Sequence, residues 1–239
     1  MNITAEENKM KLEELIGSAK IIDLSRPFEP GMPAMQAHSK YGSVICDSYD
    51  WGGGAYHCQV TFSEHNGTHV DAPNHFIRGG SSIDKIPFES LIGRLVKIDA
   101  TGAQPRSLLP AKAIADFEEK HGLVKKGDIV MFRFGWDMLY ANQPGSSRYL
   151  SNWPGLSKEA AELLVKREIK AAGCDTLSLD ACESKGSPVH HTLLGQGILI
   201  IENVCNLDKV PVHSFIIGMP LKFKDGSGSP VRLAAIIQD

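Results

Sequence analysis

The sequence predicts an α/β fold, a single strand-rich domain with a mixed sheet and few helices. Short apolar segments rich in β-branched residues outnumber segments with a helical period. Strands and helices do not alternate strictly, which sets the chain apart from a doubly wound nucleotide fold. No internal repeat and no linker rich in Pro, Gly and Ser divides residues 1–239. At 239 residues, 42% hydrophobic and 22% charged, the chain can bury a sizeable core as one domain.

In chain order, "AKIIDLS" (Ala19 to Ser25) reads as a buried strand ended by Pro27 and the turn-forming "EPGMP". "AYHCQVTFSEH" (Ala55 to His65) alternates and follows the turn signal Gly52-Gly53-Gly54. "RLVKIDA" (Arg94 to Ala100), "DIVMFRF" (Asp128 to Phe134), "DTLSLDA" (Asp175 to Ala181) and "GILIIENV" (Gly197 to Val204) are further short strands. Pro110 opens a helix whose Ile114 and Phe117 sit three apart, with Gly122 placed to end it. Ser157 N-caps a second helix, "KEAAELLVKREIKAAG", with the stripe Ala161, Leu164, Val165 and Ile169 and a stop at Gly173.

The formal net charge of -3, with Lys and Arg scattered, gives no general pull toward nucleic acid or an anionic membrane, so the expected partner is a small molecule. Met1 to Lys20 is polar, and no apolar run approaches the roughly 20 residues of a membrane span, which predicts a cytoplasmic protein. Cys46, Cys58, Cys174, Cys182 and Cys205 form an odd set without a CxxC pair, which suits a reducing compartment and small buried residues. No GxGxxG or P-loop precedes a helix, and no GxSxG elbow supports a serine nucleophile.

The chemistry concentrates in "SEHNGTHVDAPNHF", Ser63 to Phe76. On a helix Asp71 would lie far round the cylinder from His65 and His69, and Pro73 would interrupt it. In an extended chain His65, His69, Asp71 and His75 are separated by even steps and can lean to one side. That gathers nitrogen and oxygen donors around one ion, and imidazole plus carboxylate suits zinc or manganese. The bland alternative is a surface loop that holds three histidines. A second polar group weighs against it: His190 and His191 are followed by Glu202 in a strand that is otherwise apolar (Ile198, Leu199, Ile200, Ile201), where a carboxylate needs a partner such as a metal ion or a buried cation.

"HNGTHVDAPNH" fits the HxGTHxDxPxH signature and resembles the metal-dependent cyclase-like hydrolases, the family of bacterial kynurenine formamidase and isatin hydrolase. The resemblance extends to "IIDLSRPFEPGMP" and "HHTLLGQGILIIENVCNLDKV". It implies the cyclase-like hydrolase fold, a homodimer, and metal ligation by His65, His69 and Asp71, completed by His190 and Glu202. It also implies a proton-transfer role for His75, with Glu202 a second candidate for the same role. Zinc is implied by the formamidase branch and manganese by the isatin hydrolases. The expected activity is hydrolysis of an amide C–N bond in a small aromatic or cyclic amide, isatin-hydrolase-like, by metal-activated water. N-formylkynurenine hydrolysis and lactone hydrolysis are the alternatives. A catalytically silent metal-binding or small-molecule-binding homologue would be marked by a broken ligand set, and this set is intact. Trp51, beside the glycine turn, is the candidate substrate contact. Trp136, Tyr140, Tyr149 and Trp153 surround a loop long enough to act as a lid, and the alternative for each aromatic is a core or dimer contact.

Overall fold

Strand β1 (Lys20–Asp23) and seven others form one mixed sheet. They are β4 (His69–Asp71), β5 (Ile92–Asp99), β7 (Ile129–Arg133), β9 (Ala171–Cys174), β10 (Leu199–Glu202), β11 (His213–Pro220) and β12 (Gly228–Ile237). The order is β1-β12-β11-β5-β7-β9-β10-β4, and β4 also pairs with β12, so the sheet closes into a barrel. β5, β7, β9 and β10 run parallel, and the remaining pairs of this sheet are antiparallel. Outside it lie the hairpin of β2 (Gly42–Asp47) with β3 (His57–Thr61) and the short pair β6 (Leu108–Leu109) with β8 (Gly155–Leu156). Helices α1 (Ala111–His121), α2 (Lys158–Lys166) and α3 (Pro188–Leu194) complete the elements that matter for the site. The computed structural model describes Glu14 and residues 16–238, and most of the polar stretch Met1 to Lys20 lies outside them.

The parallel strands are buried on both faces, as a sheet covered by helices requires. Along β7, Ile129 and Met131 join Leu95, Ile201 and Leu233 in the barrel interior. Val130 and Phe132 point the other way, onto Ile114 and Phe117 of α1 and Leu164 of α2. Consecutive residues serve opposite cores because the pleat alternates them.

Two expectations are corrected between residues 166 and 181. The second helix stops at Lys166 instead of running to Gly173, because Glu168 adopts a left-handed φ of 52°. The chain then enters β9, "AAGC", where Gly173 serves as a strand residue: a Cβ there would meet Met131 Sδ at 2.5 Å and the Ile201 carbonyl at 2.8 Å. The strand therefore lies at Ala171–Cys174, and Asp175 to Ala181, predicted as strand, is a buried irregular segment at its exit. The strand expected over Ala55 to His65 is shorter, His57–Thr61, and β11 and β12 carried no expectation. The other predicted strands and the Pro110 helix form where expected, the latter ending at Gly122 with φ 88°, but β1, expected to be buried, is exposed except at Ile22.

Candidate metal centre

The pairing of β4 with β10 assembles half of the site. Glu202 lies opposite His69, Ile200 opposite Asp71, and Ile201 opposite Val70. Val70 and Ile201 fill the barrel interior, so alternation sends His69, Asp71 and Glu202 to the outer face, where Ile200 also packs. This face lies at the carboxyl end of the parallel strand β10, and α3 lies against β10 and brings in buried His190. His65 comes from the turn before β4, which needs Gly67: its φ is 61°, and a Cβ there would sit 2.8 Å from the Phe28 ring. A glycine also leaves room for the His65 ring, since a Cβ on Gly228 would fall 2.6 Å from His65 Cε1.

The five side chains form two groups that share Asp71: His65, His69 and Asp71, then Asp71, His190 and Glu202, each with its donor atoms within 4.8 Å of one another. Asp71 Oδ1 lies 2.7 Å from His65 Nδ1 and 3.4 Å from His69 Nε2, and Oδ2 lies 3.3 Å from His190 Nε2. His190 Nε2 is also 3.3 Å from Glu202 Oε1, and His69 Nε2 is 3.6 Å from Glu202 Oε2.

Each imidazole is held from behind. His69 Nδ1 contacts the Gly67 carbonyl at 2.9 Å, His190 Nδ1 contacts Asp180 Oδ2 at 2.6 Å, and His65 Nε2 contacts Ser227 Oγ at 2.8 Å. Ser227 in turn donates to Glu64 at 2.7 Å. A carbonyl behind His69, a carboxylate behind His190 and a hydroxyl relayed to Glu64 behind His65 fix each ring's tautomer and aim the other nitrogen into the cluster. Asp180 does more, because its two oxygens accept the backbone N–H groups of Val189 and His190 at 3.0 and 3.1 Å. It therefore seats the first turn of α3 and the His190 ring together.

The donor set fits a divalent cation. Asp71 Oδ2 is buried without a hydrogen-bond partner, an arrangement that costs free energy unless a cation or a protonated group faces it. Burial disfavours charge on His190, yet the hydrogen bond its ring donates to Asp180 and the nearness of the Asp71 and Glu202 carboxylates outweigh it and hold the imidazole well above its ordinary range. His69 is raised in the same way by Asp71 and Glu202 against its own burial. Burial alone would raise Asp71, but three histidines hold it well below the usual carboxylate range. The cluster thus creates a field that attracts positive charge, and its nitrogen and oxygen donors without thiolate suit zinc or manganese.

His75 closes a one-turn helix, Pro73–His75, and its ring stacks on His65 with centroids 3.9 Å apart. Burial pushes its pKa down to about 4, reinforced by the neighbouring imidazoles and opposed by Asp71. His191 points away from the group, against Phe76. Trp51 does not reach it: it sits in the turn of the β2–β3 hairpin, 65% exposed, and lines no part of the site cavity within this chain. Of the two readings of these aromatics, lid or core, the core holds: Tyr149, Trp153 and Leu177 form a packed satellite core with Trp136 and Tyr140 against it. The sequence reading missed Asp180, Ser227 and His38. Asp180 sits ten residues before His190, and only a helix capped from that distance could have indicated it.

Over the cluster lies a cavity of about 180 Å³, lined among others by Met35, His38, Phe76, Leu177 and Asn203. It shares Met35, His38 and Leu177 with an open cleft of about 770 Å³ bounded by Lys40, Gln143 and Trp153. The smaller cavity suits a small ligand, and the larger one leaves room for substituents.

A barrel-like mixed sheet that carries a buried histidine–carboxylate cluster, with each ring oriented from behind, defines a class of metal-site protein suited to hydrolysis. Within that class, the family described as "Putative cyclase" matches residues 22–181, and the chain belongs to this family. It is 28% identical over 251 residues to an isatin hydrolase of Roseibium aggregatum, covering 93% of this chain and 94% of that one. It is 28% identical over 214 residues to a kynurenine formamidase of Erythrobacter litoralis, covering 89% and 92%. Among solved structures, an isatin hydrolase bound to the product analogue thioisatinate superposes with a TM-score of 0.89 at 27% identity, covering 99% of this chain and all of that one.

Proposed function

We propose that this protein is a metal-dependent hydrolase of the amide C–N bond in a small aromatic or cyclic amide, with isatin the first substrate to test. The observation that carries this reading is the shared carboxylate: Asp71 faces His65 and His69 with one oxygen and His190 with the other, and these three histidines line a cavity sized for a small ligand. The isatin hydrolase relatives, which cover nearly the whole chain, support the choice of substrate class.

His65, His69, Asp71, His190 and Glu202 would hold one or two divalent ions, manganese or zinc. Such an ion, when bound, lowers the pKa of water toward ~7 and polarises a carbonyl. The protein supplies the proton traffic. His75 is neutral at physiological pH, so it can take a proton from water and return it to the departing nitrogen. Glu202 is the other candidate. Its Oε1 accepts the Leu179 N–H at 3.0 Å, which fixes the carboxylate and aims Oε2 toward His69.

We assign the protein to the cytoplasm, supported by five free cysteines; among the described residues no helix is long and apolar enough to cross a membrane. A homodimer is supported by the exposed apolar residues of the β2–β3 hairpin, with Trp51 serving the substrate site across the interface.

The test is turnover of isatin against N-formylkynurenine in chelator-stripped protein given manganese or zinc. Hydrolysis of isatin is expected. Hydrolysis of N-formylkynurenine alone would move the protein to the formamidases, which the second relative supports. Silence on both would leave lactones and other amides as substrates to try. His75→Ala should keep the metal and lose about 10²- to 10⁴-fold in kcat. Retained turnover would transfer the proton-transfer role to Glu202.

A further inference from the structure

Asn203 follows Glu202 directly and lines the same cavity, although only 3% of its surface is exposed. Its φ of 58° is left-handed, a conformation asparagine tolerates better than most residues. Its polar atoms can be accounted for one by one. The backbone N–H donates to the Thr176 carbonyl at 3.0 Å, and the backbone carbonyl accepts the Thr68 hydroxyl at 2.8 Å. The side-chain oxygen accepts the Tyr149 hydroxyl at 2.7 Å. Tyr149 is fully buried, and its hydroxyl lies 3.3 Å from the Asp175 carbonyl, so the shorter contact with Asn203 takes its one proton. The remaining polar atom is Nδ2, which has no hydrogen-bond partner among the described residues and is not among the enclosed unpaired atoms.

We propose that Asn203 Nδ2 donates a hydrogen bond to the carbonyl oxygen of the substrate and stabilises the negative charge that builds there. Tyr149 acts as a positioning residue that keeps the NH2 group facing the cavity. The inference rests on the hydrolase reading and deepens it. In the hydrolysis, water oxygen bonds to the carbonyl carbon, the C–N bond breaks, and one proton goes to the leaving nitrogen and one to solvent, giving a carboxylate and an amine. Negative charge on the carbonyl oxygen peaks between these events, and a fixed donor at that oxygen stabilises the transition state more than the ground state. Glu202 and Asn203 are adjacent, so the end of β10 would present a ligand to the ion and a donor to the substrate.

The experiment compares Asn203→Ala, Asn203→Asp, Tyr149→Phe and the Asn203→Ala/Tyr149→Phe double variant, all loaded with the metal that supports wild-type turnover. Metal content, kcat, KM and thioisatinate affinity are measured for each. Asn203→Ala should keep its metal and lose about 10²- to 10³-fold in kcat with little change in KM. Asn203→Asp should be no better, because it places an acceptor where a donor is needed. Tyr149→Phe should lose about tenfold in kcat, and the double variant should be no slower than Asn203→Ala, because a residue acting only through Asn203 has nothing further to remove. Metal-loaded Asn203→Ala with wild-type kcat/KM would overturn the proposal, and additive losses in the double variant would remove Tyr149's positioning role. If the wild type hydrolyses neither isatin nor N-formylkynurenine, the search for the substrate moves to lactones and other amides, and thioisatinate binding decides for the donor: weaker binding by Asn203→Ala supports it, and equal binding overturns it.

Discussion

Asp180 shows how much one side chain outside the cluster can control. Its carboxylate accepts three hydrogen bonds, from the His190 ring and from the backbone N–H groups of Val189 and His190. The contacts with His190 hold its carboxyl below its ordinary value against the opposing effect of burial. Asp180→Asn keeps the size but offers one acceptor where three donors need two, and its NH2 group would oppose a donor. We expect a folded protein whose metal affinity falls about 10- to 100-fold, as measured by chelator competition. Unchanged affinity would mean that His190 is oriented by other contacts. The ligand run was legible because its residues are neighbours in sequence, but the period of two holds only for His69 and Asp71 in β4: His65 reaches the cluster from a turn and His75 from a one-turn helix, so the single extended chain expected over all four does not form. Asp180 was not legible because its partner is reached through a loop and the start of a helix, and no period connects them.

At the level of elements, legibility followed the length and type of each segment. β5, β7 and β10 are apolar runs bounded by turn residues, and α1 has both a proline start and a glycine stop, so each was found. α3 is seven residues with two histidines and a threonine, too short to show a period, and β9 is made of small residues that read equally well as helix. The β2–β3 hairpin was only half anticipated, yet it carries the next prediction. Val44 pairs with Gln59 and Ile45 with Cys58, so Val44 and Ile45 lie on opposite faces of the ribbon, and both are exposed. Trp51, Tyr56 and Val60 are exposed too. A two-stranded ribbon open on both faces is marginal alone in water, which favours a second copy as its cover. Val44→Lys should leave the barrel folded and convert a dimer to single chains by light scattering, and Trp51→Ala should raise KM while keeping kcat. A wild-type mass of one chain would remove both the dimer and the role given to Trp51.

For the whole molecule, the cluster links parts of the chain that are far apart in sequence: the turn at His65, β4, α3 and the end of β10. Without a cation, Asp71 and Glu202 are two buried carboxylates balanced only by protons on the histidines around them. A metal that binds the folded chain and not the unfolded one must therefore stabilise the whole barrel. Metal at 100 times its dissociation constant contributes about 2.7 kcal/mol. For a chain of this size that amounts to a rise in Tm of roughly 5–10 °C. His69→Ala should abolish that rise, because it removes a nitrogen that faces both Asp71 and Glu202. Differential scanning calorimetry of stripped and metal-loaded protein, wild type beside His69→Ala, checks this. An equal shift in both proteins would place the stabilising ion elsewhere and remove the thermodynamic support for the shared-Asp71 site.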